Sequence, residues 1–192
     1  YLRTGHLAGG GAIRAHGGAS SNEGNAGGGR VAVVLTAPGA DFSLWSGSVT
    51  ARANKGPYGP GGAGTVYFAA AGVPEGAGDV IVDNGSLVVN MNYASLPAYL
   101  TPSEDLRQTA WQTHNKARIG LTTNAAVRAL KLNSDGVLEL AGYTLTVKTF
   151  TFGGKTYYSG VFTPAAVSQL TDAAGGGRVV VNGATGTLFM VR

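Results

Sequence analysis

Ten carboxylates and three histidines are the side chains of this chain with most to offer chemically, so the first question is whether any are spaced to act together. Asp79 and Asp83 flank Val80-Ile81-Val82 and share parity in an extended strand, so both project from one side. Paired acids on one face are what cleavage of a glycosidic bond uses. Four residues at about 3.3 Å each hold their backbones roughly 13 Å apart, too far for a retaining pair and at the limit for an inverting one. Asp83-Asn84-Gly85 is also a turn sequence, which assigns Asp83 to ending the strand. His6, His16 and His114 are far apart and carry no His-x-x-x-His or His-Glu pairing, so no metal site is expected. The serines lie outside any Gly-x-Ser-x-Gly elbow. Gly153-Gly154-Lys155-Thr156 lacks the upstream glycine of a nucleotide loop, whose place falls on Thr149. These residues predict no catalytic, cofactor-binding or metal-binding constellation, and the chain reads as a non-enzyme without a cofactor.

The elements that would position such residues are strands. The chain of 192 residues holds 32 glycines and 7 prolines, yet 44% hydrophobic against 12% charged residues argues for a packed fold. Glycine runs alternate with short β-branched stretches: GGGAIRAHGG at 9–18, GGGRVAVVL at 27–35, SGSVTARANKG at 46–56, GGAGTVYFAA at 61–70 and GAGDVIVDNG at 76–85. Strand starts about 15 to 18 residues apart are too close for βαβ units and suit stacked strands joined by turns. Each unit is too small to bury its own apolar face, so neighbours must cover it. Glycine serves such a chain in two ways, by adopting positive φ at bends and by letting backbones approach closely. Strands continue in VRALKLN, GVLELAG, TLTVKTFTFGG and TYYSGVF, with Leu145, Val147 and alternate residues thereafter on one face and Thr144, Thr146 and Lys148 on the other. Gly175-Gly176-Gly177-Arg178-Val179 repeats residues 27–31 letter for letter.

Two segments read as helices. Thr101 and Glu104 form a capping box around Pro102, with Leu106, Ala110 and Trp111 as an apolar stripe, predicting a helix over about 102–113 that covers an edge or an open end. Thr163-Pro164 opens a shorter one that runs through Leu170.

AIRAHGGA, GGGRVAVVL, GAGTVYFAA and DVIVDNG, with DGVLELAGYTLTVKTFTFGGKTYYSGVFTPAAV towards the end, resemble the Gly-rich β-helical surface proteins of bacteria, including those with strand repeats like autotransporter passengers. The resemblance spans about two thirds of the chain and implies a right-handed parallel β-helix, export, and a surface or matrix role; it carries over no catalytic residue. The expectation is therefore an all-β protein, a single parallel β-solenoid over residues 1–192 with one or two short helices, and a helix-bearing insertion or cap at about 95–118.

Partners follow from the surface. The net charge of +4 comes from 14 Lys and Arg scattered singly, so nucleic acid is not expected. No stretch approaches the length of a membrane span. The absence of cysteine leaves the compartment open, and Tyr1 opens the chain without Met, as in a mature chain cleaved from a secreted precursor. Tyr58, Tyr93, Tyr99, Tyr157 and Tyr158 are candidates for stacking on glycans. Tyr1 and Leu2 at one terminus and Leu188, Phe189, Met190 and Val191 at the other are apolar and guarded only by Arg3 and Arg192, which predicts pairing between copies into a head-to-tail filament. A glycan-binding module of a larger adhesin, and a polysaccharide lyase or hydrolase, are the alternatives.

Overall fold

The computed structural model describes residues 1–18, 26–54, 61–87, 94–96, 106–133 and 135–183, and for residues 94–96 and 106 the backbone alone. All five glycine-punctuated units contain strands: β1 (Leu2–Thr4) precedes them, followed by β2 (Ala12–Arg14), β3 (Arg30–Leu35), β4 (Ser48–Thr50), β5 (Thr65–Ala69) and β6 (Asp79–Asp83). Then come β7 (Ala94–Leu96), β8 (Ala110–His114), β9 (Arg118–Leu121), β10 (Ala125–Leu132), β11 (Val137–Glu139), β12 (Thr144–Phe152), β13 (Lys155–Tyr157), β14 (Ser159–Phe162), β15 (Leu170–Thr171) and β16 (Arg178–Asn182). Ten strands form one mixed sheet in the order β1-β3-β5-β6-β8-β10-β12-β16-β14, with β13 added beside β12. A four-stranded sheet runs β15-β11-β9-β7, and β2 pairs β4.

The expectation of a single parallel β-solenoid is overturned by the middle of the large sheet. β1, β3 and β5 are mutually parallel, and so are β6, β8, β10, β12 and β16, but β5 and β6 are antiparallel, with Val66 opposite Ile81 and Phe68 opposite Asp79. Two further antiparallel pairs, β12–β13 and β14–β16, close the far edge. The chain thus reverses between two parallel blocks, and the packed face changes with it. Ile81 shares the side of its register partner Val66, which packs in a core with Val31, Val33 and Leu35. Val80 and Val82 project from the opposite side, into a second core with Trp111, Leu130, Leu145 and Phe150. The N-terminal core is covered by Ile13 of β2 and Val49 of β4; the larger core is covered by Ile119, Leu121, Leu138 and Leu170 from the four-stranded sheet. A solenoid keeps its interior on one side of its sheet; here the interior crosses from one side to the other at β5–β6.

The helices are corrected as well. Where a helix was expected, the described residues hold one 3-10 turn, Leu106–Gln108, followed directly by β8. In β8 the alternation is strict: Trp111 and Thr113 are buried while Ala110, Gln112 and His114 are half-buried. Period two outweighed the capping signal, because burying Trp111 in the larger core rewards the extended form. Thr101, Pro102 and Glu104 lie outside the described residues. Residues 163–170 form successive turns, with Ala166 and Val167 N–H donating to Thr163 O and Leu170 N–H to Val167 O.

Strand faces follow the sequence until position 148. Leu145 and Val147 are buried as expected, but the next buried residue is Phe150, and β10 makes the same step from Val127 to Leu130. The two strands stay in register through it, Val127 with Val147 and Leu130 with Phe150, so the shift of parity is shared.

Glycine fills both expected roles in different places. In the first GGGRV run, the N–H of Gly28 donates to Gly62 O at 2.9 Å and that of Gly29 to Ala15 O at 2.8 Å, while Gly64 N–H donates to Ala51 O at 2.8 Å. A Cβ on Gly28 or Gly64 would collide with Ala51 O or Gly29 O, so main chain packs on main chain along this seam. In the second GGGRV run Gly175 and Gly176 take left-handed φ of 79° and 87° instead. Both runs then deliver an exposed Arg, Arg30 or Arg178, and a buried Val, Val31 or Val179.

Candidate functional site

Asp79 and Asp83 do not converge on a common point. Asp79 faces Arg128 Nη2 at 3.4 Å on the exposed surface, and Asp83 faces Arg52 Nη2 at 3.4 Å. Asp83 also accepts from Gly85 N–H at 2.7 Å and from Asn115 Nδ2 at 3.0 Å. Burial pushes its carboxyl up, but the Gly85 N–H, the Asn115 amide and the Arg52 guanidinium together hold it below the usual carboxylate range. Gly85 and Ser86 both have positive φ, as the turn reading of Asp83-Asn84-Gly85 requires. Parallel pairing of β6 and β8 also sets His114 beside Asp83, a neighbour that spacing along the chain gave no sign of. With three donors on it, Asp83 anchors a turn and joins three segments; it is not poised to accept a proton.

The other chemical motifs resolve in the same direction. Gly153 and Gly154, with φ of 57° and 75°, are the two-residue turn of the β12–β13 hairpin, which accounts for the GGKT string without a phosphate. His16 Nε2 lies 2.7 Å from Thr50 Oγ1. Among the described residues no three His, Cys, Asp or Glu come together as a metal cluster, and no helix is long and apolar enough to cross a membrane.

Of the expected glycan contacts, Tyr58, Tyr93 and Tyr99 lie outside the described residues. Tyr157 stacks on Phe152 with centroids 4.8 Å apart and meets Phe162 edge-on at 4.9 Å, with Lys155 Nζ 5.2 Å from its centroid, so much of the ring is engaged within the protein. Tyr158 is 64% exposed. Of the expected assembly residues, Leu188, Phe189, Met190 and Val191 lie outside the described residues; Tyr1 is 82% exposed, and Leu2 packs against the N-terminal core.

Two surface features remain. The first is a pair of open edges in the N-terminal part of the chain. Among the described residues β1 pairs only with β3, and β2 only with β4. Thr4 O accepts from Thr36 N–H, so the alternation of the strand turns the N–H and C=O of Arg3 outward. Gly11 O likewise accepts from Ser48 N–H and Ala15 N–H donates to Thr50 O, which turns the main-chain groups of Arg14 outward on β2.

The second is a cavity of about 490 Å³ on the side of β1, β3 and β5 opposite the N-terminal core. In register across the three strands lie Arg3, Val34 and Ala69; one row earlier lie Ala32 and Tyr67, and continuing β1 by one residue brings Tyr1 beside Ala32. Tyr67 is fixed by its hydroxyl, which accepts from Gly78 N–H at 3.2 Å. Glu75, in the loop from β5 to β6, completes one wall. The cavity lies where the interior changes sides at β5–β6: on the face that is covered from β6 onward, Tyr67 of β5 still packs against the larger core and Ala69 is buried, whereas Val34 of β3 is half-buried and Arg3 of β1 is exposed. Sequence reading missed it because the reversal beside which it lies leaves no mark in the residue pattern. No family model, curated protein or solved structure matches the chain.

Proposed function

We propose that the chain is an extracellular, non-catalytic structural protein that associates with copies of itself by strand pairing at its open edges. The observation that carries this is the N-terminal part of the chain: β1 ends the ten-stranded sheet and β2 is one of the two strands of the β2–β4 sheet, each with one side unpaired among the described residues. Natural sheets blunt such edges with prolines, charges or covering segments; here Arg3 and Arg14 are the charges offered, beside the exposed Tyr1. A strand added to either edge would gain main-chain hydrogen bonds in the manner of β-augmentation. The extracellular setting rests on the resemblance of the glycine-punctuated strand units to bacterial surface proteins.

The test blocks the outward main-chain groups and spares the inward ones. Proline at position 3 or 14 removes an N–H that points away from the sheet, where proline is tolerated. Electron microscopy and sedimentation of the 192-residue chain should show polymers that the double variant R3P/R14P lacks, while its thermal unfolding stays within a few degrees of the parent. Polymers that persist in the double variant, or a parent that stays monomeric at high concentration, would overturn the reading.

A further inference from the structure

We infer that the strand received by the β1 edge is residues 188–191 of a second copy, laid beside β1 so that Phe189 enters the cavity that opens there. This builds on self-association through open edges and names the partner of one of them. Two observations define the acceptor. The main-chain groups of Arg3 point out of the sheet edge, because Thr36 N–H is bonded to Thr4 O on the inner side. Beside them, on one face, the cavity of about 490 Å³ begins at Tyr1 and Arg3 and runs inward to Val34 of β3 and to Val73 and Pro74 in the loop after β5. On the other face Leu2 packs against the N-terminal core, so that core reaches the same edge. A strand added to β1 therefore meets apolar surface on both faces and must be apolar at consecutive positions, not at alternate ones.

Leu188-Phe189-Met190-Val191 meets that requirement, with four apolar residues in a row and neither Pro nor Gly among them. Alternation sets Phe189 and Val191 on one face and Leu188 and Met190 on the other. The ring goes to the face with the recess, and Leu188 and Met190 then extend the N-terminal core beyond Leu2. The segment is out of reach of its own β1. In the order β1-β3-β5-β6-β8-β10-β12-β16 the strand that ends at Asn182 stands seven spacings from β1, roughly 34 Å at about 4.8 Å each. From Gly183 to Leu188 a fully extended chain covers at most about 18 Å. Twist and curl that shortened the width by about a third would still leave the gap unbridged. The joint is therefore between copies and head-to-tail, with the acceptor at one end of the large sheet and the donor leaving from near the other.

The experiment mixes two variants of the 192-residue chain, both carrying Arg14→Pro to silence the β2 edge. R14P/F189P loses the ring and an N–H of the donor and keeps the acceptor; R3P/R14P loses the acceptor and keeps the donor. Arg14→Pro alone should still form polymers, each double variant should sediment as a monomer, and their equimolar mixture should give a one-to-one dimer and nothing longer. Val34 belongs to neither core, so Val34→Phe fills the cavity alone and should raise the concentration at which polymers form at least tenfold, whereas Val34→Ala should move it less than about threefold. Polymers of R14P/F189P, no dimer in the mixture, or assembly that Val34→Phe leaves unchanged would each overturn this partner while leaving self-association standing. An unfolding temperature of R14P/F189P more than a few degrees below that of R3P/R14P would assign the segment to the fold of its own copy and overturn it too. A parent chain that stays monomeric would instead overturn edge pairing itself, and this partner with it.

Discussion

Gly64→Ala is the sharpest test of how the glycine runs work. Gly64 is buried, and a Cβ there would strike the Gly29 carbonyl and lie 2.6 Å from the carbonyl carbon of Gly28. To restore contact distance the two segments must part by about 1.5 Å. That separation stretches three main-chain bonds: Gly64 N–H to Ala51 O, Thr65 N–H to Gly29 O at 3.2 Å, and Gly28 N–H to Gly62 O. Overpacking costs about 1 to 3 kcal/mol, and two or three weakened bonds about 1 kcal/mol each. The lower entropy of the unfolded alanine chain returns about 0.5 kcal/mol, leaving a destabilisation of about 3 to 5 kcal/mol. Two controls separate the causes. Gly18 has ordinary φ and nothing within 4 Å of a Cβ, so Gly18→Ala should be neutral or slightly stabilising. Gly39 has φ of 74° and open space, so Gly39→Ala should cost about 1 to 2 kcal/mol from backbone strain alone. Urea unfolding followed by circular dichroism would rank the three. If Gly64→Ala fell within about 1 kcal/mol of Gly18→Ala, close main-chain packing would not be what the runs are for.

Two further outcomes follow from the core and from the turn at Asp83. Phe150 is fully buried between Phe152 and Phe162, with centroids 4.8 and 5.4 Å away, so Phe150→Ala should cost about 3 to 5 kcal/mol, while Tyr158→Ala, at an exposed site, should stay within about 0.5 kcal/mol by the same denaturation assay. The carboxyl of Asp83 is depressed in the folded chain, so its stabilising effect is complete above the unfolded value of about 3.9 and is lost as pH falls through the lower folded value. Unfolding measured from pH 7 to pH 2.5 should therefore fall more steeply for the parent than for Asp83→Asn, and parallel curves would refute the assignment.

Much of the strand content was legible in the sequence, because β-branched runs between glycines have few alternatives: Val31, Val33 and Leu35 announce β3, and Val179 and Val181 announce β16. The repeated GGGRV string marked two strand starts, although the backbones leading into them differ. The reversal at β5–β6 was not legible. Val80, Ile81 and Val82 are apolar on both sides of the strand, and an unbroken apolar run does not say that one side serves one core and the other side another. The helix over 102–113 failed for a related reason: capping residues describe a local preference, and Trp111 answered to the core instead. The cavity was invisible because it belongs to the register of three strands that are distant in sequence, with Arg3 beside Val34 and Val34 beside Ala69. The turn role of Asp83 could be read from its neighbours, whereas the ion pair with Arg52 could not.

A protein whose interior changes sides has no single hydrophobic centre, and this bears on cooperativity. Val66 and Ile81 report on one interior, and Val80, Val82 and Phe150 on the other, with β5 and β6 as the shared wall. Each interior has its own cover, so amide hydrogens on the two sides of that wall are expected to exchange as separate foldons, which hydrogen exchange would check. The β5–β6 pair is then the one that both units need, and its amides should be the slowest to exchange.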